Sequence, residues 1–272
     1  MDRNPYVAGS FYPDNIYEID QMLDDMYGDS PASLATDGAC DKLVMVPHAG
    51  WIFSGHVCGQ TLAEATLGSD IILLGPNHTG DGAPVALWPD GRWLFPEGDV
   101  SVNTELAEEI LRADDLFLAD TSAHIREHSL EVILPFLAKA NPTARIVPIA
   151  FSLSHPELLI HAGKVLAEVV RKWKRPVTII VSSDMSHFIS AADAKRVDSL
   201  ALDAALRLDP AHFFNTVVSK RISMCGVLPM TVGLAAAKNL GATAARVTAY
   251  TSSGDVTGDY NEVVAYAGLI AS

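Results

Sequence analysis

Cysteine is scarce in this chain, and long apolar runs are absent. The 272 residues contain three widely spaced cysteines, Cys40, Cys58 and Cys225. An odd number without a CxxC pair argues against a disulfide framework or a zinc knuckle and predicts at least one free thiol. No apolar run approaches the roughly 20 residues that span a bilayer, and the first residues lack the basic start and apolar stretch of a secretory signal. We therefore expect a cytoplasmic protein without a membrane partner.

Basic residues are few as well. The chain has 19 lysines and arginines against 33 aspartates and glutamates, a formal net charge of -14. Because nucleic-acid binding requires a basic surface opposite the phosphates, this balance argues against a nucleic-acid partner. The sequence also lacks the glycine-rich phosphate loops and the GxSxG nucleophile elbow. Their absence disfavours nucleotide chemistry that depends on a phosphate-cradling loop.

What the sequence does contain is an alternation of short β-branched runs with amphipathic segments. Strands are predicted at 43–46, 70–74, 84–88, 145–151, 177–182, 245–251 and 262–270. Helices are predicted at 15–26, 57–67, 104–112 behind an Asn103 cap, 130–138, 191–207, 211–219, 226–239, and from a Ser154/Glu157 capping box to about residue 173.

This order predicts one domain over residues 1–272. The near-continuously apolar strands indicate an α/β fold, with a central mixed sheet that carries helices on both faces. The last two predicted strands follow each other without room for a helix, so part of the sheet is expected to be antiparallel.

Three of the predicted central strands end in the same way. Each runs into small residues and then a histidine: His48 after 43–46, His78 after 70–74 and His187 after 177–182. In open α/β sheets, ligands bind beyond the carboxyl ends of the strands, so these three histidines are expected to converge on one pocket. A single histidine in such a place is more often a hydrogen-bonded structural residue. The recurrence favours a shared site.

Imidazole is a common ligand of iron, copper and zinc, so the three histidines predict a metal site with an open position. Their separations do not match a short-spaced motif such as HExxH. Asp184 is a candidate further ligand, general base or acceptor for a ligating imidazole, or alternatively the cap of the turn after its strand.

Two further groups of residues are candidates for chemistry. Glu127 and His128 precede the helical stretch at 130–138 and are candidate acid–base residues, whereas Glu131 fits the acidic first turn of a helix. Cys225 precedes a predicted helix, where the helix dipole would lower its pKa and make it a nucleophile or metal ligand; it could equally be a small buried residue. Cys58 is interpreted as core packing.

Taken together, these segments resemble the Memo family. The matching segments lie in family order from residue 8 to 268: 8–12 (AGSFY), 47–51 (PHAGW), 75–78 (GPNH), 127–129 (EHS) with Glu131 and 134–135 (LP), 182–184 (SSD) with 187–188 (HF), 225–226 (CG) and 265–268 (AYAG). By this resemblance His48, His78 and His187 match the pocket histidines of the family, and Asp184 and Cys225 match its other pocket residues.

The resemblance implies a fold similar to that of the class III extradiol dioxygenases, which open catechol rings with non-haem Fe(II). It also implies a possible radical-SAM partner protein, since bacterial and archaeal members are described as one part of a set that contains such a protein. Fe(II) or copper is the expected cofactor, with zinc as an alternative. His48 and His78 would hold the metal with His187 or with Cys225, and Asp184 or His128 would move protons.

Two interpretations from other classes remain open at this point. The same cleft could belong to a non-catalytic module that binds a peptide or a partner protein, as the association of an animal family member with phosphopeptides implies. Cys225 with a histidine and an aspartate could instead serve a hydrolase or transferase. The substrate, whether a small molecule or a peptide, is not fixed by the residues.

Overall fold

A large mixed sheet forms the centre of the computed structural model, which describes residues 1–28, 33–35 and 39–272. Within those ranges the strands are β1 (Ser33–Leu34), β2 (Leu43–Val46), β3 (Thr66–Leu67), β4 (Asp70–Pro76), β5 (Val85–Leu87), β6 (Arg92–Phe95), β7 (Gly98–Val102), β8 (Leu118–Ala119), β9 (Arg145–Phe151), β10 (Val177–Ser182), β11 (His187–Ile189), β12 (Ala245–Ser252) and β13 (Val263–Ala271). The order along the main sheet is β11-β13-β2-β10-β4-β9-β5-β8, and β1 and β3 form a separate pair.

The helices are α1 (Ile16–Tyr27), α2 (Trp51–Glu64), α3 (Thr104–Ala113), α4 (Ser122–Ile125), α5 (Leu134–Ala140), α6 (Pro156–Lys172), α7 (Ala191–Leu206), α8 (Pro210–Ser219), α9 (Val227–Asn239) and α10 (Gly254–Thr257), with a 3-10 turn at Glu131–Ile133. Among the described residues, no helix combines the length and apolar character needed to cross a bilayer.

The four central strands β2, β10, β4 and β9 are parallel, while β13 runs antiparallel to β2 and β12 antiparallel to β13. The predicted mixed sheet and its antiparallel end are therefore confirmed. Successive residues of β4 alternate between two cores: Ile72 and Leu74 pack on one face, and Ile71 and Leu73 on the other. Helices α6 and α9 cover the first face and α1, α2 and α5 the second, because a buried parallel sheet must be shielded from water on both sides.

Several boundaries differ from those predicted. The capping box at Ser154 is wrong: helix α6 begins at Pro156 with His155 as the preceding residue, and no side chain caps it. Helix α2 begins at Trp51, six residues before the predicted start, directly after the loop that carries His48. Asn103 does cap α3, since its side chain accepts a hydrogen bond from the Leu106 amide. The short hairpin of β6 and β7 was not predicted.

Candidate metal centre

The carboxyl ends of three adjacent parallel strands meet at one edge of the sheet. Strand β10 lies between β2 and β4, with Ser182 in register with Val46 and Val181 with Leu74. The loops that follow carry His48 after β2, Asp184 after β10 and His78 after β4. The sequence-based expectation that these strand ends share a pocket is met for His48 and His78, whose ring centroids lie 5.3 Å apart.

His48 is held in one tautomer by its neighbours. Its Nδ1 lies 2.6 Å from the Ser182 hydroxyl, and that hydroxyl donates its single proton to the Ser129 carbonyl at 2.6 Å. The hydroxyl must therefore accept from Nδ1–H, which leaves a lone pair on Nε2. Burial, followed by the neighbouring imidazoles of His128 and His78, lowers the pKa of His48 well below its ordinary value. The ring is therefore neutral, with a lone pair on Nε2 that could bind a metal.

His78 is oriented by Glu127. The Glu127 carboxylate accepts from the His78 amide at 2.5 Å and faces Nδ1 of the same residue at 2.9 Å. Burial alone would raise the pKa of Glu127, but hydrogen bonds from His78 and Ser129 outweigh it and lower the pKa to about 2. An ionised carboxylate only accepts, so the His78 Nδ1 carries a proton and its Nε2 is free when the ring is neutral. Burial opposes protonation of His78, yet Glu127 raises its pKa overall.

His128 completes a group of three imidazoles. Its ring stacks on His78 with centroids 4.9 Å apart and lies 5.4 Å from that of His48. One ring nitrogen from each of His48, His78 and His128 lies within 4.8 Å of the other two. The outer side of the His128 ring packs against Phe11, at 4.8 Å between centroids. Burial lowers the pKa of His128, so this ring too is biased towards the neutral form that binds metals.

The three histidines that lie together are not the three expected from the strand ends. His187, predicted as the third ligand, lies outside the three-histidine group of the described residues, and His128, predicted as an acid–base residue, is inside it. His187 opens strand β11, where its Nδ1 lies 2.9 Å from the Ser223 carbonyl. Four residues separate β10 from β11, and His187 remains near enough for its charge to have a lowering effect on the pKa of both His48 and Asp184.

Cys225 contacts His48 without belonging to the three-histidine group. Its Sγ is 3.2 Å from His48 Nε2, and it accepts a hydrogen bond from the Asp184 amide at 3.2 Å. The prediction that a helix N-terminus lowers the thiol pKa is wrong. Burial, with the Asp184 charge adding to it, raises the pKa of Cys225 above its usual range, because desolvation disfavours the thiolate more than the start of α9 stabilises it.

Asp184 is a buried carboxylate beside both groups. It accepts from the His48 amide at 2.8 Å and so fixes the loop that carries His48. Burial raises its pKa to about 6, against the opposing hydrogen bonds from the His48 and Ala49 amides. The carboxylate thus fixes the loop after β2 and not the turn after its own strand, and its pKa near neutrality suits it to hold or release a proton.

Glu131 lies in the first turn of its helical segment, as expected, but its carboxylate is bound by the N-terminal residues of the chain. It is fully buried and accepts hydrogen bonds from the amides of Tyr6 and Val7 and from the Tyr12 hydroxyl. Arg3 pairs with it at 2.8 Å and also donates to the Glu127 carbonyl at 2.7 Å. The N-terminal segment, residues 3–12, is thereby tied to the segment that carries Glu127 and His128.

Comparisons with known proteins identify the family of the chain. The family model described as Memo-like protein matches residues 3–270. The chain belongs to the Memo family. It is 39% identical over 269 residues to a MEMO1 family protein of Aquifex aeolicus, covering 98% of both chains. It is 35% identical to one of Methanopyrus kandleri, covering 99% of both, and 36% identical to one of Methanocaldococcus jannaschii, covering 98% of both.

The fold also resembles that of a solved structure. The crystal structure of an uncharacterized Escherichia coli K12 protein superposes with a TM-score of 0.57 at 10% sequence identity, covering 85% of this chain and 99% of that one. At this identity the likeness shows the fold alone.

Three residues that shape the pocket of this Memo family chain were not assigned a role from the sequence. Ser182 fixes the tautomer of His48, Arg3 anchors the Glu127 segment, and Phe11 packs on His128. Ser182 and Phe11 belong to segments that carry the family resemblance, so a signal for them was present. No sequence signal pointed to Arg3, because the residues to which it donates hydrogen bonds lie more than 120 positions away. Of the aromatic residues that neighbour the predicted pocket histidines in the sequence, Trp51 is buried in the core, whereas Phe188, next to His187, is 73% exposed.

Proposed function

We propose that this pocket binds an iron or copper ion and supports an oxidation–reduction reaction, of the dioxygenase type, on a small molecule. The observation that carries the proposal is the orientation of His48 and His78. Each donates its Nδ1–H to a fixed acceptor, Ser182 or Glu127, so that both Nε2 lone pairs are available. A histidine that binds a metal through one ring nitrogen typically donates the N–H of the other to such an acceptor.

The residues present fit a transition metal better than calcium or magnesium, since the donors are nitrogen and sulfur. His48 and His78 would provide two ligands, and the third would be His128, which completes the three-histidine group, or Cys225, whose Sγ lies 3.2 Å from His48 Nε2. An imidazole set suits iron, copper or zinc, and a thiolate favours copper and zinc. Bound iron or copper would supply one-electron chemistry and open positions for substrate and oxygen.

The remaining groups of the pocket would handle protons and position. Asp184, with its pKa raised to about 6, changes protonation state near neutral pH and would accept or return a proton of the substrate. Glu127 stays ionised and keeps the His78 ring in place. Because these groups are fixed by backbone amides, the pocket is organised before a ligand arrives.

Metal content tests the proposal directly. Protein purified without a His-tag and reconstituted anaerobically with Fe(II), or with Cu(I), is expected to hold about one ion per chain, while the His48→Ala/His78→Ala double variant holds almost none. A His161→Ala/His212→Ala variant, which removes two histidines from helices α6 and α8, is the matched control and should retain the metal. Equal and near-zero metal in wild type and the pocket variant would end the metal proposal.

Two single variants separate the candidate third ligands. If Cys225 binds Cu(II), a sulfur-to-copper charge-transfer band is expected in wild type and in His128→Ala, and its loss in Cys225→Ser. If His128 is the ligand, His128→Ala loses metal affinity and Cys225→Ser keeps it. His187→Ala, outside the three-histidine group, should keep the metal in either case.

Turnover distinguishes an enzyme from a binding module. Oxygen uptake by the iron-loaded protein with a panel of small catechols is expected to exceed that of the His48→Ala/His78→Ala variant. The second candidate function is a metal-containing module that binds a peptide without turnover, and it is favoured by the exposed Phe188 beside His187. That function predicts no oxygen uptake and a peptide or protein pull-down that depends on Phe188 and His187.

A radical-SAM partner protein remains a prediction from the family. If a radical-SAM protein is encoded beside this chain, co-purification of the two proteins would support that partnership.

The hydrolase interpretation has less support in the pocket. Cys225 does face His48 Nε2, but His48 Nδ1 faces the Ser182 hydroxyl in place of a carboxylate, and burial raises the thiol pKa. Selective labelling of Cys225 by iodoacetamide near neutral pH would be needed to revive this interpretation.

A further inference from the structure

A second cavity lies at the opposite edge of the sheet from the histidines. Its volume is about 720 Å³, within the range of small-molecule sites. It adjoins the amino ends of β4 and β9 and the C-terminal end of α6. The residues that line it are Glu105, Glu109, Arg112, Ala113, Arg145, Val169, Lys172, Trp173, Lys174 and Arg175. Half of them are lysines or arginines, in a chain whose net charge is -14.

The positive charge comes chiefly from one short segment. Residues 171–175 read Arg-Lys-Trp-Lys-Arg and span the last residues of α6 and the start of its connection to β10. A smaller cavity of about 260 Å³ shares Trp173, Lys174 and Arg175 with the larger one and adds Lys42 and Arg171. Lys172 and Lys174 are exposed and make no ion pair with any residue that the structure describes. Their charges are available to a ligand.

Two of the arginines are held in place by a buried carboxylate. Asp70 is fully buried at the start of β4, accepts from Arg145 Nε at 3.1 Å and lies 3.6 Å from Arg175 Nε. The Trp173 indole Nε1–H donates to the same carboxylate at 2.8 Å. Asp70 fixes the Arg145 guanidinium and the Trp173 indole by hydrogen bonds. Arg175, which also donates to the Ser69 hydroxyl at 3.2 Å, adds its charge beside them, so the three side chains form a largely preorganised wall of the cavity.

The local charge balance stays positive after the acids are counted. Glu109 and Glu108 both pair with Arg112, at 3.2 and 3.5 Å, and Asp70 offsets one of its two arginines. Glu105 is the remaining acid of the lining, against the two unpaired lysines and the second arginine. An anion is therefore favoured in this cavity. The half-buried Trp173 and the apolar Val169 and Ala113 add a surface suited to a planar ring.

This cavity is separate from the histidine pocket. Strand β4 begins at Asp70, beside the cavity, and ends at Pro76, two residues before His78. Seven residues of extended strand place the two sites roughly 20 Å apart, on opposite edges of the sheet.

We propose that the cavity binds a small phosphorylated compound with an aromatic ring, of the nucleoside diphosphate class. The lysines and arginines would contact the phosphates, and the indole of Trp173 would stack on the ring. The sequence has no glycine-rich phosphate loop, so side-chain cations would hold the phosphates in place of backbone amides. The proposal does not depend on the metal or on any reaction at the histidine pocket.

Tryptophan fluorescence provides a local probe. Of the four tryptophans, Trp51, Trp88 and Trp93 are buried with 2% exposure or less, and Trp173 is partly exposed at this cavity. Titration of EDTA-treated protein with ADP at low ionic strength is expected to quench the emission, with an affinity that weakens as salt is added. Pyrophosphate and adenosine should each bind more weakly than ADP, since each makes only part of the contacts.

Variants test where ADP binds. Lys172→Gln/Lys174→Gln is expected to weaken binding on the order of tenfold, because two charges that face the phosphates are lost. The Lys195→Gln/Lys220→Gln variant, with the same charge change on α7 and at the end of α8, should bind as wild type does. The His48→Ala/His78→Ala variant should also bind normally, which separates this result from the fate of the metal proposal.

Three results would overturn the proposal. One is the absence of quenching by ADP at low salt. Another is equal ADP affinity in wild type and Lys172→Gln/Lys174→Gln, which would place the ligand elsewhere. The third is quenching by an acidic peptide such as oligoglutamate but not by ADP, which would make this face a protein-docking surface instead.

Discussion

Single hydrogen bonds decide what the histidines of this pocket can do. The Ser182 hydroxyl has one proton and donates it to the Ser129 carbonyl, so His48 must present Nε2 as an acceptor. The same logic applies to His78, whose Nδ1 faces an ionised Glu127. Neither the spacing of the histidines nor their count shows which ring nitrogen is available.

Replacing Ser182 tests this control. In Ser182→Ala the His48 ring loses its acceptor and can rotate or change tautomer, so the affinity for the metal is expected to fall roughly 10- to 100-fold. Competition with a chromophoric chelator measures it. Ser199→Ala, at an exposed position of α7, is the control and should bind metal as wild type does. Unchanged affinity in Ser182→Ala would show that the serine does not orient the ligand.

Glu127 links the pocket to acid stability. Its pKa falls from an ordinary 4.5 to about 2 in the folded protein, so its ionised form stabilises the fold above pH 4.5 and that contribution is lost as the pH falls towards 2. The shift corresponds to on the order of 3 kcal/mol. In metal-free Glu127→Gln, urea unfolding should show a deficit against wild type at pH 7 that shrinks as the pH approaches 2.

Glu168→Gln is the control for this comparison, since Glu168 is exposed on α6. Its unfolding free energy should follow wild type at every pH. A Glu127→Gln deficit that does not change with pH would mean that the side chain stabilises the fold through packing and not through its charge.

At the scale of secondary-structure elements, the approach of α9 to β10 sets the position of Cys225. Gly226 immediately precedes α9, and its amide donates to the Ser183 hydroxyl at 3.0 Å. A Cβ at Gly226 would overlap the Ser183 side chain and lie 2.8 Å from the Ser182 carbonyl oxygen. The glycine is thus required for the helix to start close enough for the thiol to reach His48.

Gly226→Ala is therefore expected to push the start of α9 away from β10. The overlap should cost about 1–3 kcal/mol of unfolding free energy, measured by urea denaturation, and the Cys225 thiol should react faster with a disulfide reagent. Gly50→Ala is a matched control near the same pocket, because its Cβ would lie no closer than 3.7 Å to another atom. Equal stability of the two variants would contradict the steric argument.

At the scale of the whole molecule, the candidate metal ligands connect distant parts of the chain. His48 follows β2, His78 follows β4, and His128 lies on a segment tied to the N-terminal residues through Arg3 and Glu131. A ligand that binds only the folded arrangement stabilises it, and at 100 times its dissociation constant the gain is about 2.7 kcal/mol.

Metal binding should therefore raise the melting temperature by roughly 5 °C at that ratio of free metal to dissociation constant. Differential scanning calorimetry of metal-free protein with and without added Fe(II), under anaerobic conditions, measures the shift. The His48→Ala/His78→Ala variant should show no such shift, and the His161→Ala/His212→Ala variant should show the full one. A similar shift in all three proteins would indicate binding elsewhere.

The sequence by itself determined the α/β fold and the convergence of His48 and His78. Short apolar runs such as Leu43–Val46 and Val177–Ser182 are local patterns, and parallel strands in one sheet must place their carboxyl ends at one edge. That geometric rule does not depend on the details of packing, so it follows from the pattern of strands and helices alone.

Only the tertiary structure decided that His128, and not His187, joins the other two histidines. The position of His128 depends on Arg3 and Glu131, whose contacts join residues more than 100 positions apart, and no local pattern encodes such contacts. The raised pKa of the Cys225 thiol has the same origin. A helix start can be read from the sequence, but the burial that outweighs it is a property of the packed chain.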